Sequence, residues 1–382
     1  MAVQFFANGA VVGSVLPRLP EIRDRIDTDL ATLGIVFTLA SFGGLLGSAV
    51  CSPIIERVGS KTAMIGGGLA LTSTLFLTAA ASSPWVLLIA LSLWLLFDVV
   101  ADVAMNMQGS AISSRRSVPV MNRLHGLWSL GTVLGGIAAS FLAWIEFNLE
   151  AHLSAVALTL IATMAFVAPG LLPEEEVIQD DEATPPGGPA RSHRTVLLTF
   201  AVLAAMAMVM EQTSNDWSAL RLTDDLTQTA GLAALGFVAY TVGMTVGRFS
   251  GDSLLGRIGQ HRMIRAGASL NGFGLALAFL VDTVPTVLVG LVLAGLGNSV
   301  IFPMLYDQAA KAPGKAGAGL GAMVAGSRVG ALVAPVTVGT LASTDALSIG
   351  QAVALTTIPC ALIVITIRAA QARTDRRQLS SA

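Results

Sequence analysis

The sequence predicts an all-α polytopic membrane protein with twelve transmembrane helices, arranged as two pseudo-symmetric six-helix bundles. Of the 382 residues, 54% are apolar and only 12% are charged, whereas a soluble domain usually carries about 25% charged residues. The mean hydropathy is +0.73. Long apolar runs recur along the whole chain, and such runs are typical of membrane-spanning helices.

The candidate spans cover residues 2–19, 30–54, 62–82, 84–112, 120–145, 151–172, 195–217, 229–254, 262–281, 284–309, 316–341 and 347–369. The first apolar run reaches Leu16 after about 15 residues, which is less than the ~20 that a spanning helix needs. We therefore expect either that this helix continues through Pro17 or that the chain start has been placed too late. No Lys or Arg precedes Arg18, which argues against a secretory signal.

The longest polar interruption runs from Glu174 to Arg194 and divides the spans six and six. It is rich in acidic residues, Pro and Gly, a composition typical of a flexible, solvated linker. The predicted domains are an N-terminal bundle over residues 1–172, a cytoplasmic linker over 173–194, and a C-terminal bundle with a short cytoplasmic tail over 195–382.

Lys and Arg are distributed unevenly between the two sets of connecting loops. The loops after the even-numbered spans, together with the C-terminal tail, hold 16 of these residues, and the opposite loops hold four. Because basic loops stay on the cytoplasmic side, both termini are predicted to be cytoplasmic, in a plasma (inner) membrane.

The two halves repeat each other at an offset of 200 residues. The matched positions are Gly43 with Gly243, Gly47 with Gly247, Arg57-Val58-Gly59 with Arg257-Ile258-Gly259, and Asp98 with Asn298. Six spans repeated in the same topology predict two parallel halves related by an axis along the membrane normal.

The fourth span carries Asp98, Asp102 and Asn106 at four-residue spacing, so they fall in one stripe of a helix. A carboxylate at the centre of a spanning helix costs roughly 2.5–3.5 kcal/mol on insertion, and such residues mark transport pathways. Two carboxylates one turn apart do not both ionise readily in a low dielectric, which predicts coupling to a proton. The alternative for Asp98 is a buried carboxylate neutralised by Ser92 or Trp94.

The loop after the second span, Glu56-Arg57-Val58-Gly59-Ser60-Lys61, resembles the Asp-Arg-x-Gly-Arg-Lys signature of the major facilitator superfamily. Glu replaces the Asp, and Ser replaces the second Arg. A looser copy follows the eighth span, with Asp252 and then Arg257 to Arg262. Finer features are similar to the fucose-permease-like branch: Pro17-Arg18-Leu19-Pro20, Asp102 through Gln108-Gly109, His125 to Trp128, and Glu211 followed by Asp216-Trp217-Ser218.

The resemblance implies the major facilitator fold, with spans 1, 4, 7 and 10 lining a central cavity. The candidates for binding the substrate or a proton are then Asn8, Asp98, Asp102, Asn106, Glu211, Gln212 and Asn298. The candidates for gating are Arg18, Glu56, Arg57, Gly59, Lys61, His125, Asp252, Arg257, Gly259 and Arg262.

Three alternatives stay open for these residues. Glu211 could pair with Arg18 or Arg221 in an extracellular gate. His125 could be an interfacial histidine held by Asn122 or by a carbonyl. The basic residues of the motif could be ordinary anchors on the cytoplasmic side.

The predicted function is secondary active transport of a small solute by alternating access, coupled to a proton. A sugar-like solute is expected because Asn106, Gln108, Gln212 and Asn298 offer hydrogen bonds. The alternatives are a proton-driven drug or metabolite exporter of the same fold and a non-transporting membrane sensor.

The sequence lacks the phosphate-binding loop of an ATP-driven pump and the short motifs of metalloproteases and serine hydrolases. It therefore predicts no enzymatic activity, no cofactor and no metal site. The basic residues are scattered, which argues against nucleic-acid binding. The expected partners are the solute, a proton and the lipid bilayer, and the expected state is a monomer.

Overall fold

The computed structural model describes residues 1–116, 121–171, 194–310, 318–344 and 346–380. The α-helices of these residues are α1 (Ala2–Val15), α2 (Leu19–Arg25), α3 (Leu30–Ala79), α4 (Pro84–Arg116), α5 (Met121–Trp144), α6 (Leu149–Val167), α7 (Arg194–Leu220), α8 (Ala230–Ile258), α9 (Gln260–Leu280), α10 (Val284–Asn298), α11 (Ile301–Ala310), α12 (Ala318–Ala342) and α13 (Ile349–Ser380). Short 3₁₀ segments follow α1 and α6, and a π-helical turn, Arg221–Asp225, follows α7.

The helices confirm the predicted fold class. Ten helical segments of the described chain are long and apolar enough to cross a membrane. One of them, α3, is 50 residues long and contains two spans, which meet at the non-helical residue Gly59. The 14-residue helix α1 supplies the first span. Within the described residues, each of the twelve predicted spans coincides with helix.

Prolines explain two departures from regular helix. The first span continues as a 3₁₀ turn, Leu16–Arg18, in which Pro17 occupies an early position that needs no backbone N–H donor. The tenth span is broken between α10 and α11, at Ser299 and Val300. This break lies four residues before Pro303, where the proline ring would clash with the carbonyl of a continuous helix.

The helices group into two compact units. One comprises Met1–Ala183 together with Gln228–Val238, and the other comprises Thr184–Thr227 together with Ala239–Ala382. The segment Gln228–Val238, which the sequence assigns to the C-terminal bundle, thus groups with the N-terminal unit. The predicted linker, 173–194, lies outside the described residues except for Arg194, where α7 begins.

The same close helix contact occurs in both units at the repeat offset. A Cβ atom added at Gly43 would overlap the carbonyl oxygen of Ser92 on α4, and one at Gly243 would overlap that of Val292 on α10. Glycine is therefore required at both positions, because any side chain would push the helices apart.

The motif glycines share an unusual backbone conformation. Gly59 has φ 81° and ψ 157°, and Gly259 has φ 76° and ψ 157°. L-residues essentially never adopt this region. The Arg-x-Gly match in the sequence thus marks the same backbone turn in both units.

We expect Gly259→Ala to lower the free energy of unfolding by about 1–3 kcal/mol, which is the strain of this backbone region. Because a Cβ atom at Gly259 would meet nothing within 4 Å, packing does not contribute. Gly66 is the matched control: it is helical, and a Cβ atom there also meets nothing within 4 Å. Gly66→Ala should stabilise the helix by roughly 0.5–1 kcal/mol. Denaturant titrations of the purified variants test this, and equal effects at both sites would contradict it.

Candidate functional site

In the N-terminal unit, the Asp98 carboxylate lies in the middle of α4 and is bound by an amide from α1. Asn8 Nδ2 donates to Asp98 Oδ1 at 3.2 Å. Trp128 Nε1 on α5 donates to Asn8 Oδ1 at 2.7 Å. The sequence offered Ser92 or Trp94 as partners of Asp98, whereas the structure gives it Asn8, which is 90 residues away.

Asp102 and Asn106 continue the same stripe of α4 toward its C-terminal end. Both side chains are half-buried, and Asn106 Nδ2 donates to the backbone carbonyl of Asp102 at 2.9 Å. The helix is unbroken here, so the predicted stripe exists as a structural feature.

The C-terminal unit holds a second pair of an acid and an amide. Asn298, the last residue of α10, donates its Nδ2 to Glu211 Oε2 on α7 at 3.1 Å. Tyr240 of α8 is fully buried and lies in electrostatic range of the Glu211 carboxylate. Glu211 is thus joined to α10 within its own unit.

Within the C-terminal unit, the described hydrogen bonds and ion pairs of Arg221 do not involve Glu211. Arg221 instead donates to Asp225 at 2.5 Å and also binds Asp282. Arg18 is 1% exposed and is held within the N-terminal unit. It donates to Glu21 at 2.5 Å and to the Phe147 carbonyl at 2.8 Å.

Each unit contains a hydrogen bond between an amide and a carboxylate, but the helices that carry the two groups are exchanged between the units. In the N-terminal unit, the amide is on the first span and the acid is on the fourth. In the C-terminal unit, the acid Glu211 is on the seventh span and the amide Asn298 is on the tenth. Asp98 and Asn298 occupy equivalent positions of the repeat, so each unit ties its first and fourth helices together through one carboxylate.

Gln212 makes a separate contact, because its Nε2 donates to Asp216 Oδ2 at 2.8 Å. Asp216 is 3% exposed. It therefore lies inside the C-terminal unit, one helical turn beyond Gln212.

The motif residues lie around the glycine turns. Glu56, Arg57 and Arg262 are exposed, and Lys61 is half-buried. Asp252 and Arg257 lie on α8, but their side chains fall outside the part of the chain that the structure describes.

The residue that follows each motif glycine is hydrogen-bonded to a side chain near the end of another span, the fourth in one unit and the tenth in the other. Gln108 Nε2 donates to Ser60 Oγ at 2.9 Å, and Gln260 Nε2 donates to Asp307 Oδ2 at 2.9 Å. These paired contacts hold the glycine turns against the fourth and tenth spans.

His125 is exposed near the start of α5. Its ring meets the ring of Phe5 on α1 edge to face, with the centroids 5.3 Å apart. This contact connects α5 to α1 at the end where the first helix begins.

Two residues of these networks received no role from the sequence: Trp128 and Tyr240. Trp128 appeared only as part of a family pattern, and Tyr240 gave no signal in an apolar run.

A family model described as Major Facilitator Superfamily matches residues 1–335 and 215–381. An uncharacterized MFS-type transporter of Yersinia pestis is 25% identical over 307 residues, which is 80% of this chain and 78% of the relative. Membrane protein MosC of Rhizobium meliloti is 28% identical over 311 residues, with 81% and 74% covered. A gentisate transporter of Corynebacterium glutamicum is 24% identical over 290 residues, with 70% and 63% covered.

Among solved structures, a mutant of the nucleoside transporter NupG superposes with a TM-score of 0.78 and 12% identity. The match covers 97% of this chain and 98% of that chain. At this identity, the likeness shows the shared fold alone.

Proposed function

Because the chain belongs to the major facilitator superfamily, and is therefore a multi-pass membrane transporter of a small solute and not an enzyme, we propose that it couples this transport to protons. The coupling groups are Asp98, Asp102 and Glu211, and the transport cycle is alternating access. The observation that carries the proposal is the pair of hydrogen bonds between a carboxylate and an amide, one in each unit.

The N-terminal pair is sensitive to protonation because of Trp128. The indole N–H occupies Asn8 Oδ1, so the amide turns its Nδ2 donor toward Asp98. A hydrogen bond from an amide to an ionised carboxylate is stronger than one to a neutral acid. Protonating Asp98 therefore weakens the link between α1 and α4, which connects a proton to the packing of the helices.

The C-terminal pair responds to protonation through the bond from Asn298 to Glu211, without a counterpart of Trp128 in the described chain. Asn298 ends α10 immediately before the break in the tenth span. Its bond to Glu211 weakens when the carboxyl takes up a proton, and the discontinuous helix leaves room for α10 and α11 to shift. Broken spanning helices are frequent at transport sites.

The amide side chains give less support for a sugar-like solute than the sequence suggested. Four amides were expected to bind a sugar-like solute, and each donates within the protein. Asn106 binds its own helix, Gln108 binds Ser60, Gln212 binds Asp216, and Asn298 binds Glu211. We therefore propose a small polar solute, with sugars, nucleosides and gentisate as the first compounds to test.

The experiment has two stages. A thermal-shift screen of the purified protein identifies the solute, because a ligand at 100 times its Kd adds about 2.7 kcal/mol of stability. Uptake of this solute into proteoliposomes is then measured with an imposed pH gradient. We expect accumulation that follows the gradient, movement of protons with the solute, and loss of both on adding a protonophore. Uptake that ignores the gradient and the protonophore would overturn proton coupling.

The proposal also covers the membrane location and the topology of the protein. The excess of Lys and Arg in one set of loops supports a plasma (inner) membrane location with cytoplasmic termini. A monomer and the fucose-permease-like branch also remain proposals, and the branch rests on the sequence features around Pro17, Asp102 and Trp128.

A further inference from the structure

A buried arginine and a buried histidine meet where the first span ends. Arg18 closes the 3₁₀ turn after α1 and is 1% exposed, and His152 of α6 is 3% exposed. Arg18 Nη1 lies 3.3 Å from His152 Nδ1, while Arg18 Nη2 donates to Glu21 and to the Phe147 carbonyl. These four residues, which we term the Arg18 cluster, join the end of the first span to the start of the sixth.

The contact between the two side chains assigns the protonation state of the imidazole. A guanidinium carries only N–H donors and is not deprotonated in proteins. His152 Nδ1 is therefore the acceptor, and the ring proton lies on Nε2. A protonated imidazole carries an N–H at both nitrogens, so its Nδ1–H would face a guanidinium N–H and two cations would lie 3.3 Å apart. The Arg18 cluster thus exists only while His152 is neutral.

The described helices packed against α6 bring no other charge close to His152. Helix α6 packs on the second half of α3, where a Cβ atom at Gly68 would overlap Met164. Residues 62–79 of α3 contain no titratable side chain, and neither does α1. The described titratable residues of α3 and α5 lie about one span away, at the Gly59 turn and at the start of α5: Glu56, Arg57, Lys61, Arg123 and His125.

The nearby carboxylates are occupied by arginines. Glu21 accepts a hydrogen bond from Arg18 itself, and Glu150 of α6 pairs with Arg25 of α2. Among the described residues, no carboxylate is hydrogen-bonded to His152. A proton on this imidazole therefore adds a second cation beside the guanidinium, and repulsion favours separation of the two groups. The other charges of this region are an exposed pair on α2 and an exposed residue before α6: Arg23 with Asp24, and Glu146.

The C-terminal unit has a corresponding cluster without a histidine. Arg221 follows the seventh span and is also 1% exposed. A Cβ atom at Gly350, near the start of the twelfth span, would lie 2.7 Å from Arg221 Cζ, and Asp225 accepts from both residues. Within the described residues, the side chains that bind Arg221 are carboxylates. The two units thus share a buried arginine that joins their first and last spans, but only the N-terminal unit places an imidazole against it.

We propose that proton uptake by His152 opens the Arg18 cluster, so that acid loosens the end of the first span from the sixth. The connection after the first span belongs to the set of loops that is poor in Lys and Arg, which is predicted to be extracellular. The first span also carries Asn8, so external acid acts on the helix that binds Asp98. The inference goes beyond the proposed proton coupling, because it concerns how tightly two spans pack and not what drives transport.

The size of the effect follows from linkage. The closed cluster excludes a proton, whereas an imidazole released to water has a pKa of about 6.5. A group that binds a proton only in the open state shifts the equilibrium toward that state as the pH falls. Each pH unit below about 6.5 changes the ratio by up to tenfold, so at about pH 4.5 the closed form is disfavoured by at most about hundredfold.

The test is amide hydrogen exchange of the full-length protein in detergent at constant ionic strength, at about pH 7.5 and about pH 4.5, on either side of the histidine pKa. Exchange rates are divided by those of an unstructured chain at the same pH. We expect the protection at the start of α6 to fall at least about tenfold in acid, and the protection at the start of α13 to stay the same. Unchanged protection at α6, or an equal loss at both helices, would overturn the proposal.

A substitution assigns the effect to the histidine. In His152→Asn, the amide oxygen takes the place of Nδ1 and can accept from Arg18, but it does not titrate. This variant should keep the protection of α6 at neutral pH and lose the response to acid. His261→Asn makes the same change on α9 of the other unit and should leave the response of α6 intact. If acid still loosens α6 in His152→Asn, a carboxylate is responsible and the proposal is wrong.

A second measurement decides the matter if His152→Asn does not fold. The chain has four histidines, and the other three are replaced by Gln so that ¹⁵N-histidine NMR reports on His152 alone. We expect the neutral Nε2–H tautomer at neutral pH, because Nδ1 accepts from Arg18. A proton on Nδ1 at neutral pH would show that the contact does not exist and would overturn the proposal.

Discussion

Asp98→Asn and Glu211→Gln should each abolish accumulation of the solute against its gradient. One pH unit corresponds to about 1.36 kcal/mol, or a tenfold ratio. A gradient of two pH units should therefore drive about hundredfold accumulation through the unchanged protein if one proton moves with each solute molecule. Each variant should reach a ratio of about one.

The physical reason is that each substitution keeps the shape of the side chain and removes its ability to exchange a proton. An amide at position 98 or 211 can still accept a hydrogen bond from Asn8 or Asn298, so the helix contacts survive. The transport cycle can then run without the proton, as solute exchange between the two sides of the membrane. Radiolabelled solute in proteoliposomes measures both quantities.

The control is Asp282→Asn, which makes the same chemical change at a carboxylate that is 78% exposed. Its accumulation ratio should stay near that of the unchanged protein. Asp102→Asn tests whether Asp98 alone carries the proton in the N-terminal unit or shares it with Asp102. If the two carboxylates share the proton, Asp102→Asn should also abolish accumulation; if Asp98 acts alone, accumulation should stay normal in this variant. Normal accumulation in both Asp98→Asn and Glu211→Gln would show that the proton uses other groups.

Arg221→Met should cause the largest loss of stability, about 3–5 kcal/mol of unfolding free energy. The side chain is 1% exposed and bridges Asp225 and Asp282. Asp225 in turn accepts hydrogen bonds from the backbone N–H groups of Ile349 and Gly350 at the start of α13, at 3.2 and 2.8 Å. Removing only the arginine leaves a poorly exposed carboxylate without its main counter-charge, and this is the costly way to break such a pair.

The two acidic partners of Arg221 provide an internal comparison. Asp225 is 11% exposed, whereas Asp282 is 78% exposed. Asp282→Asn should therefore cost less than about 1 kcal/mol, as is usual for exposed ion pairs. The double variant Arg221→Met with Asp225→Leu should recover part of the loss, because the only carboxylate left without Arg221 is then Asp282, which is exposed to solvent. Denaturant unfolding in mixed micelles measures these values, and equal effects of Asp225→Asn and Asp282→Asn would contradict the account.

Much of the fold follows from local properties of the sequence. Apolar runs about as long as the bilayer is thick define the spans, because a chain in lipid must satisfy its backbone hydrogen bonds within each helix. The 200-residue repeat located the motif glycines, and both combine a positive φ with an extended ψ, a region that is essentially restricted to glycine. The carboxylates inside the spans were also visible, because a charge within an apolar run stands out without any knowledge of its neighbours.

The hydrogen-bond partners of those carboxylates could not be predicted from local properties of the sequence. Asn8 and Asp98 are 90 residues apart, and Glu211 and Asn298 are 87 residues apart. The sequence alone determined which helices cross the membrane and which carry ionisable groups, because helix periodicity and hydropathy are local properties of the chain. Only the tertiary structure decided that Asn8 faces Asp98, that Arg221 binds Asp225 and that Asn298 binds Glu211, because these pairs depend on how whole helices rotate and pack against one another.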